Sequence, residues 1–327
     1  MAEVNFFVFV DRLSNFRVTL RHLVYGANIS RPEHRALCNV KRGDLIFIYV
    51  MDTRSLYGPF IAEGRVFEDK ADIGWRIDGR IADWPHRVPF KPWMNRVGVL
   101  DRYRLQRVYR RIRSRLVTIR DLDDLHRRYL NTLLRGEGLI LLETFLEEAV
   151  FMEPREVSED FAAKPLRGEP LDARELLRRG RAAEYVVELY LLQNPGKLAE
   201  LAGSGFSEVY NQVYVYQNRF LDLLVVHRLE GKVIKATVIE VKATCNEGSV
   251  AKGVEELGHY MSTMADWMGG SPKTVYGVLL TPTTSSSSLK KVWREKCREI
   301  AGLYEIPRER LLWTQYEISA SGELSLK

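Results

Sequence analysis

Cysteine is scarce in this chain: Cys38, Cys245 and Cys297 are the only three among 327 residues. An odd number, widely spaced and without a C-x-x-C pair, offers neither a disulfide framework nor a structural zinc site, and it fits a reducing, cytoplasmic setting. Long apolar runs are missing too; no stretch approaches 18 uncharged apolar residues, so no membrane span is expected. The opening Met1-Ala-Glu-Val-Asn-Phe-Phe lacks the basic n-region and cleavage site of a secretory signal. There is no internal repeat and no G-x-x-x-x-G-K-[ST]. Pro195-Gly196-Lys197-Leu198 has neither the spacing nor the hydroxyl, which argues against an ATP-driven motor. The six histidines, His22, His34, His86, His126, His227 and His259, fall at no metal-ligand spacing and read as surface or satisfied core residues.

What is present describes a soluble globular protein, with 46% hydrophobic and 28% charged residues and length enough for two independent cores. The net charge of +6 permits a polyanionic partner.

Two apolar segments in the second half carry charged residues where a buried strand should have none. Arg219-Phe-Leu-Asp-Leu-Leu-Val-Val226 holds Asp222, and Val238-Ile-Glu-Val-Lys-Ala243 holds Glu240 and Lys242. Strand side chains alternate faces, so Glu240 and Lys242 share one face while Ile239 and Val241 take the other. Glu230-Gly231-Lys232 supplies the turn between the strands. E-x-K is commonly an ordinary ion pair. Here it interrupts a segment, Val233–Val241, that is apolar on both faces, and buried charges persist only if paired or holding a metal. Asp222 and Glu240 offer the hard oxygens Mg²⁺ prefers, with Mn²⁺ as a substitute, and Lys242 is suited to orient or deprotonate a water beside that ion.

Preceded by the helical Glu184-Tyr-Val-Val-Glu-Leu-Tyr-Leu-Leu192, this order resembles the PD-(D/E)XK nuclease superfamily over roughly residues 170–327. The resemblance implies an α/β restriction-endonuclease-like core. It makes Asp222 and Glu240 the metal ligands, Lys242 the residue that assists the attacking water, and Glu184 a supporting acid, with Glu188 its rival one turn on. The family proline is Leu221 here, and the Q-L-x-x-Y of the following helix reads Glu256-Leu-Gly-His-Tyr260, so Glu256 is a weaker candidate. Around the motif, strands are expected at 209–215, 274–280 and 311–318, and helices at 248–267 and 289–301. Ser285–Ser288 reads as a solvated loop capping the second helix.

Residues 1–150 read as a second domain of short strands with Gly/Pro turns, a small barrel with helices beside it, so that the whole chain is mixed α/β and α+β. Asn15-Phe16, Tyr25-Gly26, His34-Arg35, Val40–Asp44, the Gly-containing strand 58–67 and Trp84-Pro-His-Arg-Val88 follow in an order that resembles the EVE domain, a PUA-like relative of the YTH fold. The resemblance implies a reader that holds a flipped, modified base between aromatic faces. Candidate walls are Tyr25, Trp75 and Trp84, each alternatively barrel core, with Ser14 and Asn15 for the base edge; Trp93 reads as packing. Residues 151–172, with Pro154, Pro165, Pro170 and Gly168, read as a semi-rigid linker.

Arginines crowd between Arg96 and Arg128: Arg102, Arg104, Arg107, Arg110, Arg111, Arg113, Arg115, Arg120 and Arg127 lie between them, with Tyr103, Tyr109 and Tyr129 nearby. One face of a helix there packs through Leu105, Val108 and Ile112. The other offers Arg107, Arg110 and Arg111 to DNA phosphates. Joined, the two halves predict a Mg²⁺-dependent endonuclease acting on modified foreign DNA, with cutting of both strands calling for a homodimer or a second encounter. A mismatch-repair endonuclease and a non-catalytic modified-nucleic-acid binder are the alternatives.

Overall fold

In the computed structural model, which describes residues 4–119, 121–125, 128–216, 219–268 and 274–327, the chain is mixed α/β and divides into two compact units, Met1–Leu171 and Asp172–Lys327. Among the described residues no helix is long and apolar enough to cross a membrane, and Cys38, Cys245 and Cys297 form no disulfide.

The first unit begins with β1 (Phe6–Asp11), α1 (Leu13–His22), β2 (Val24–Ala27), a 3-10 turn at Pro32–Asn39, β3 (Leu45–Val50) and β4 (Ser55–Ala62). Short strands follow: β5 (Phe67–Glu68), β6 (Arg76–Ile77), β7 (Arg80–Ile81), β8 (His86–Pro92) and β9 (Val97–Leu100). The unit closes with α2 (Arg102–Ile112), α3 (Leu122–Leu125), β10 (Leu130–Leu133), α4 (Arg135–Glu148), β11 (Val150–Met152) and α5 (Pro154–Val157). A curled sheet runs β10-β1-β3-β4-β8-β2, with β9 joining β4 to β11 and β5 at the edge of β8. Phe6, Val8, Val10, Phe47 and Tyr49 alternate onto one face, where they pack with Leu105, Val108 and Ile112 of α2 and Leu141 and Phe145 of α4. The expected strand over 58–67 is displaced: β4 ends at Ala62, and the chain pairs again only at Phe67.

Residues 151–171 are not a free linker. Met152 pairs with Val97, Ala162 N–H donates to Leu20 O (3.2 Å), Leu166 N–H to His22 O (2.8 Å) and Leu171 N–H to Val66 O (2.9 Å). These backbone bonds strap the segment onto the first unit. Apolar content is a poor guide to such a strap, because main-chain groups hold it.

Asp11, at the end of β1, is buried, with Thr19 Oγ1 donating to it at 3.1 Å. Burial pushes its carboxyl up to about 8, against smaller opposing effects from Thr19 and the Arg12 N–H. The unfolded chain releases this proton near pH ~4. The stabilisation is therefore complete below that value and is lost as pH rises toward 8. The stability of the wild type relative to Asp11→Asn should accordingly fall between about pH 5 and 8, read as the difference in melting temperature at each pH. In the wild type by itself Glu240 adds a loss of the same sign, and buried His34, lowered to about 4, opposes it. Asp44, raised by burial to about 6, adds a further part at the acidic end. A relative stability that stays constant over this range would exclude the titration of Asp11.

The second unit starts with α6 (Ala173–Arg178), α7 (Glu184–Gln193) and α8 (Pro195–Ala202), which lead into β12 (Glu208–Tyr216), β13 (Arg219–Leu229) and β14 (Lys232–Val241). Then come α9 (Glu247–Trp267), β15 (Val275–Pro282), α10 (Ser287–Leu303), β16 (Leu311–Ile318) and β17 (Leu324–Leu326). The sheet runs in chain order, antiparallel through β12-β13-β14, parallel through β14-β15-β16, and antiparallel again at β17. Glu230 and Gly231 both take positive φ (50° and 78°), the geometry of a two-residue hairpin turn that matches strand twist. Helix α9 opens with a reciprocal cap: Asn246 Oδ1 accepts from Ser249 N–H and Ser249 Oγ from Asn246 N–H, both at 2.9 Å. Its buried stripe Val250, Val254, Leu257, Met261 and Met264 follows the helical period. Strand β14 is buried only from Ala236 onward; Ile234, expected inside, is 51% exposed.

Candidate active site

Register brings the charged residues together. Leu223 pairs with Ile239, which makes Asp222 and Glu240 the next positions on neighbouring strands. Asn211 and Val213 pair with Leu223 and Leu221, which sets Gln212 opposite Asp222. The row Gln212, Asp222, Glu240 therefore crosses three adjacent strands, and all three side chains are buried. Lys242 follows β14 on the same side as Glu240 and is also buried.

The Lys242 Nζ donates to Glu240 Oε1 and to Glu256 Oε2, both at 2.6 Å. Asp222 Oδ2 accepts from the Val241 N–H (2.9 Å) and Oδ1 from Gln212 Nε2 (3.0 Å). The same Gln212 amide reaches Glu188 Oε2 at 3.1 Å, and Asn211 Nδ2 donates to that oxygen at 2.6 Å. Glu240 Oε2 has no hydrogen-bond partner among the described residues. On α9, Tyr260 lies one turn beyond Glu256 and donates to Phe220 O at 3.0 Å, tying the helix to β13. Gly253 lets α9 close on the site, since a Cβ there would stand 2.5 Å from Leu279 Cδ1 and 3.4 Å from Lys242 Cε.

Electrostatics sort the acids. Burial and then the like charge of Asp222 hold Glu240 well above the usual carboxylate range, with Lys242 pulling the other way. Burial also acts to raise Glu256, but its contact with Lys242 wins and the net shift is downward. Burial alone would lower Lys242; Glu240 and Glu256 outweigh it and keep the amine protonated. In this arrangement Lys242 is an ammonium that donates to its two glutamates.

Lys242 bridges Glu240 and Glu256, and Lys252 stands 3.6 Å from the other Glu256 oxygen. Asp222, held by the Val241 N–H and Gln212 instead of by a lysine, lies beside Glu240 in a buried place where a divalent cation would offset charge. Among the described residues, no group of three or more His, Cys, Asp or Glu side chains is arranged to enclose a metal. Two carboxylates with water and substrate phosphate filling the remaining positions is nonetheless how Mg²⁺ is often held. The partnerless Glu240 Oε2 fits that donor set.

The α7 acid bonded into this network is Glu188, fully buried. Glu184, preferred from sequence, stands half-buried in the first turn of α7, where its charge, after burial, helps push Tyr316 up to about 12. Glu256 is a full member through Lys242. Gln212 and Asn211 carried no motif, though two adjacent amides inside an apolar strand were a usable signal. Gln212 also sits at φ 54°, a left-handed conformation uncommon for a side chain of this type.

In the first unit, Trp75 and Trp84 meet edge to face at 5.5 Å and line a cleft of about 250 Å³ with Asp69, Asp72, Asp83 and Arg87. That is below the roughly 300–1,000 Å³ of drug-sized sites, and both indoles are nearly buried, in an apolar cluster with Val24 and Phe67. The Arg87 guanidinium lies 5.4 Å from the centre of the Trp75 ring and pairs with Asp69. Trp75 Nε1 donates to Thr19 Oγ1 at 3.2 Å, and its indole lies against Gly26, where a Cβ would come within 2.2 Å.

The other proposed pocket residues are elsewhere. Tyr25 is core, stacked on Phe9 at 4.4 Å with its hydroxyl donating to Val10 O (2.7 Å) and Tyr129 O (3.1 Å). Asn15 spends its amide on the Arg76 backbone, accepting from N–H and donating to O, both at 2.9 Å. Ser14 is exposed and not part of the cleft wall. Trp93, expected to pack, is 37% exposed.

The arginines divide as well. Arg107 pairs with Glu148, and Arg111 with Glu147 (2.6 Å) and Glu148 (3.3 Å), while Arg110 has no such partner among the described residues. Arg128 is buried and donates to Thr118 O at 2.8 Å, so it does not face solvent. Arg120 and Arg127 lie outside the described residues. No protein-family model matches this chain, and no curated protein matches it.

Proposed function

We propose that the second unit hydrolyses phosphodiester bonds with a divalent metal, and that the first selects DNA carrying a modified base. What supports the catalytic half is the buried Asp222–Glu240–Lys242 constellation, built from adjacent strands in register, with Asp222 and Glu240 side by side and one Glu240 oxygen without a partner among the described residues. Asp222 and Glu240 would hold Mg²⁺, which neutralises charge on the phosphate and on the departing oxygen. Lys242, held protonated, donates to a water or to a phosphate oxygen and lowers the energy of the more highly charged transition state. Glu256 holds that ammonium in place, and Glu188 with Gln212 and Asn211 orients Asp222. What supports the reader half is the two-tryptophan cleft with Arg87 and Asp69 at its wall, a surface for stacking and for edge hydrogen bonds.

The test is a substrate panel with the full chain: phage DNA bearing modified bases, the same sequence unmodified, and a mismatched duplex, each with Mg²⁺ and with chelator. Metal-dependent cleavage confined to modified DNA is the expected result. Cleavage confined to the mismatch would transfer the protein to repair, and binding without cleavage in any metal would leave it a reader alone.

A further inference from the structure

Helix α2 carries arginines on two faces with opposite fates. Arg104, Arg107 and Arg111, spaced three and four apart, face α4: two pair with Glu147 and Glu148, and Arg104 donates to Glu148 O at 3.0 Å. Arg102, Arg110 and Arg113 occupy the other face, where with Arg54 they line a cleft of about 220 Å³. None of these four has an ion-pair partner among the described residues. We propose that this cleft grips phosphates of a nucleic-acid strand.

Among the described residues the charge is only partly compensated: four guanidinium groups face two carboxylates, Asp121 and Asp123, and arginine stays charged at any working pH. Two placements work against local stability. Arg102 opens α2, where the helix dipole disfavours a cation. Arg54 takes φ 51°, a left-handed conformation uncommon outside glycine. The helix end itself is not the anion site, because Asp101 Oδ1 already accepts the Tyr103 and Arg104 N–H groups at 2.9 Å. The side chains must do the binding, and the guanidinium fork matches phosphate oxygens bidentately. All four arginines are exposed, so a strand can pass across them, whereas a free nucleotide would want enclosing walls. Tyr103, next to Arg102 and 80% exposed, is an unused stacking surface.

This rests on the nucleic-acid part of the proposed function and not on catalysis. The experiment measures binding of a fluorescein-labelled unmodified duplex to the full chain in EDTA across a salt series. Each lost phosphate contact lowers the slope of log K against log salt by ~0.9. The triple variant Arg102→Gln, Arg110→Gln, Arg113→Gln should lose about two to three slope units and bind at least tenfold more weakly at low salt. The variant Arg107→Gln, Arg111→Gln removes nearly as much charge from the same helix and should keep the wild-type slope. Equal losses in both variants, or none in the triple variant, would overturn the cleft assignment while leaving modified-DNA cleavage untouched. Displacement of the duplex by micromolar pyrophosphate, from wild type but not from the triple variant, would make the cleft a site for a free phosphate compound and overturn the strand. A wild type that binds no duplex at all would remove this inference together with the DNA-reading role.

Discussion

Glu240→Gln is expected to slow DNA hydrolysis by about a thousandfold or more, with DNA affinity and melting temperature close to those of the unaltered protein. This substitution separates chemistry from folding because the amide oxygen can still accept from Lys242, while Glu256 keeps the ammonium neutralised. Removing a charge that burial and Asp222 already strain does not itself destabilise the fold. Asp222→Asn is a poorer probe. Both Asp222 oxygens accept, from Val241 N–H and Gln212 Nε2, so an amide would turn a donor toward a donor and cost about 1–3 kcal/mol. Lys242→Met is poorer still, since it takes the lysine from buried Glu240 and leaves Glu256 only the 3.6 Å contact with Lys252, a loss of roughly 3–5 kcal/mol. Single-turnover cleavage with excess enzyme, in Mg²⁺ and in Mn²⁺, reads the effect directly. Activity within tenfold of wild type would sink the assignment of Glu240 as a metal ligand.

Trp84→Ala should weaken binding to modified DNA by about ten- to a hundredfold and barely change binding to unmodified DNA. One aromatic face stacked on a flipped base contributes ~1–3 kcal/mol, at ~1.4 kcal/mol per decade of affinity. Trp84 is itself 8% exposed in the same apolar cluster as Trp75, so the melting temperature is read beside the affinities and Trp84→Leu, which keeps bulk but no aromatic face, is measured with it. Trp75 is locked by Thr19, Arg87 and Gly26, so its truncation would open a core cavity costing about 3–5 kcal/mol. Tyr25→Phe serves as a control: it deletes hydrogen bonds to Val10 O and Tyr129 O and should lower stability without altering the ratio of modified to unmodified affinity. Fluorescence anisotropy on matched duplexes measures that ratio. An equal loss for both DNAs on Trp84→Ala would strip the cleft of its role as reader.

Much of the second unit was legible before any coordinates. The alternation of Glu240 and Lys242, the turn at Glu230-Gly231, the strand at Leu311–Ile318 and the long helix ending at Trp267 all follow from short-range pattern and appear as expected. The roles of neighbouring residues were not legible in the same way. Glu184 and Glu188 share a helix one turn apart, and only the packing of α7 against β12 determines that Glu188 meets Gln212 and Asn211. The arginines of α2 likewise look equivalent in sequence until α4 presents Glu147 and Glu148 to one face alone.

The sequence by itself determined where the chain forms strands and helices and which side chains share a face, because backbone period and turn chemistry are settled within a few residues. Only the tertiary structure decided which face meets which. It buried Tyr25, Trp75 and Trp84 alike, with an edge of the two tryptophans lining a cleft, and strapped 151–171 onto the first unit. Those outcomes depend on contacts between residues far apart in the chain. Burial, charge neutralisation and cavity shape are properties of such contacts, and no local pattern encodes them.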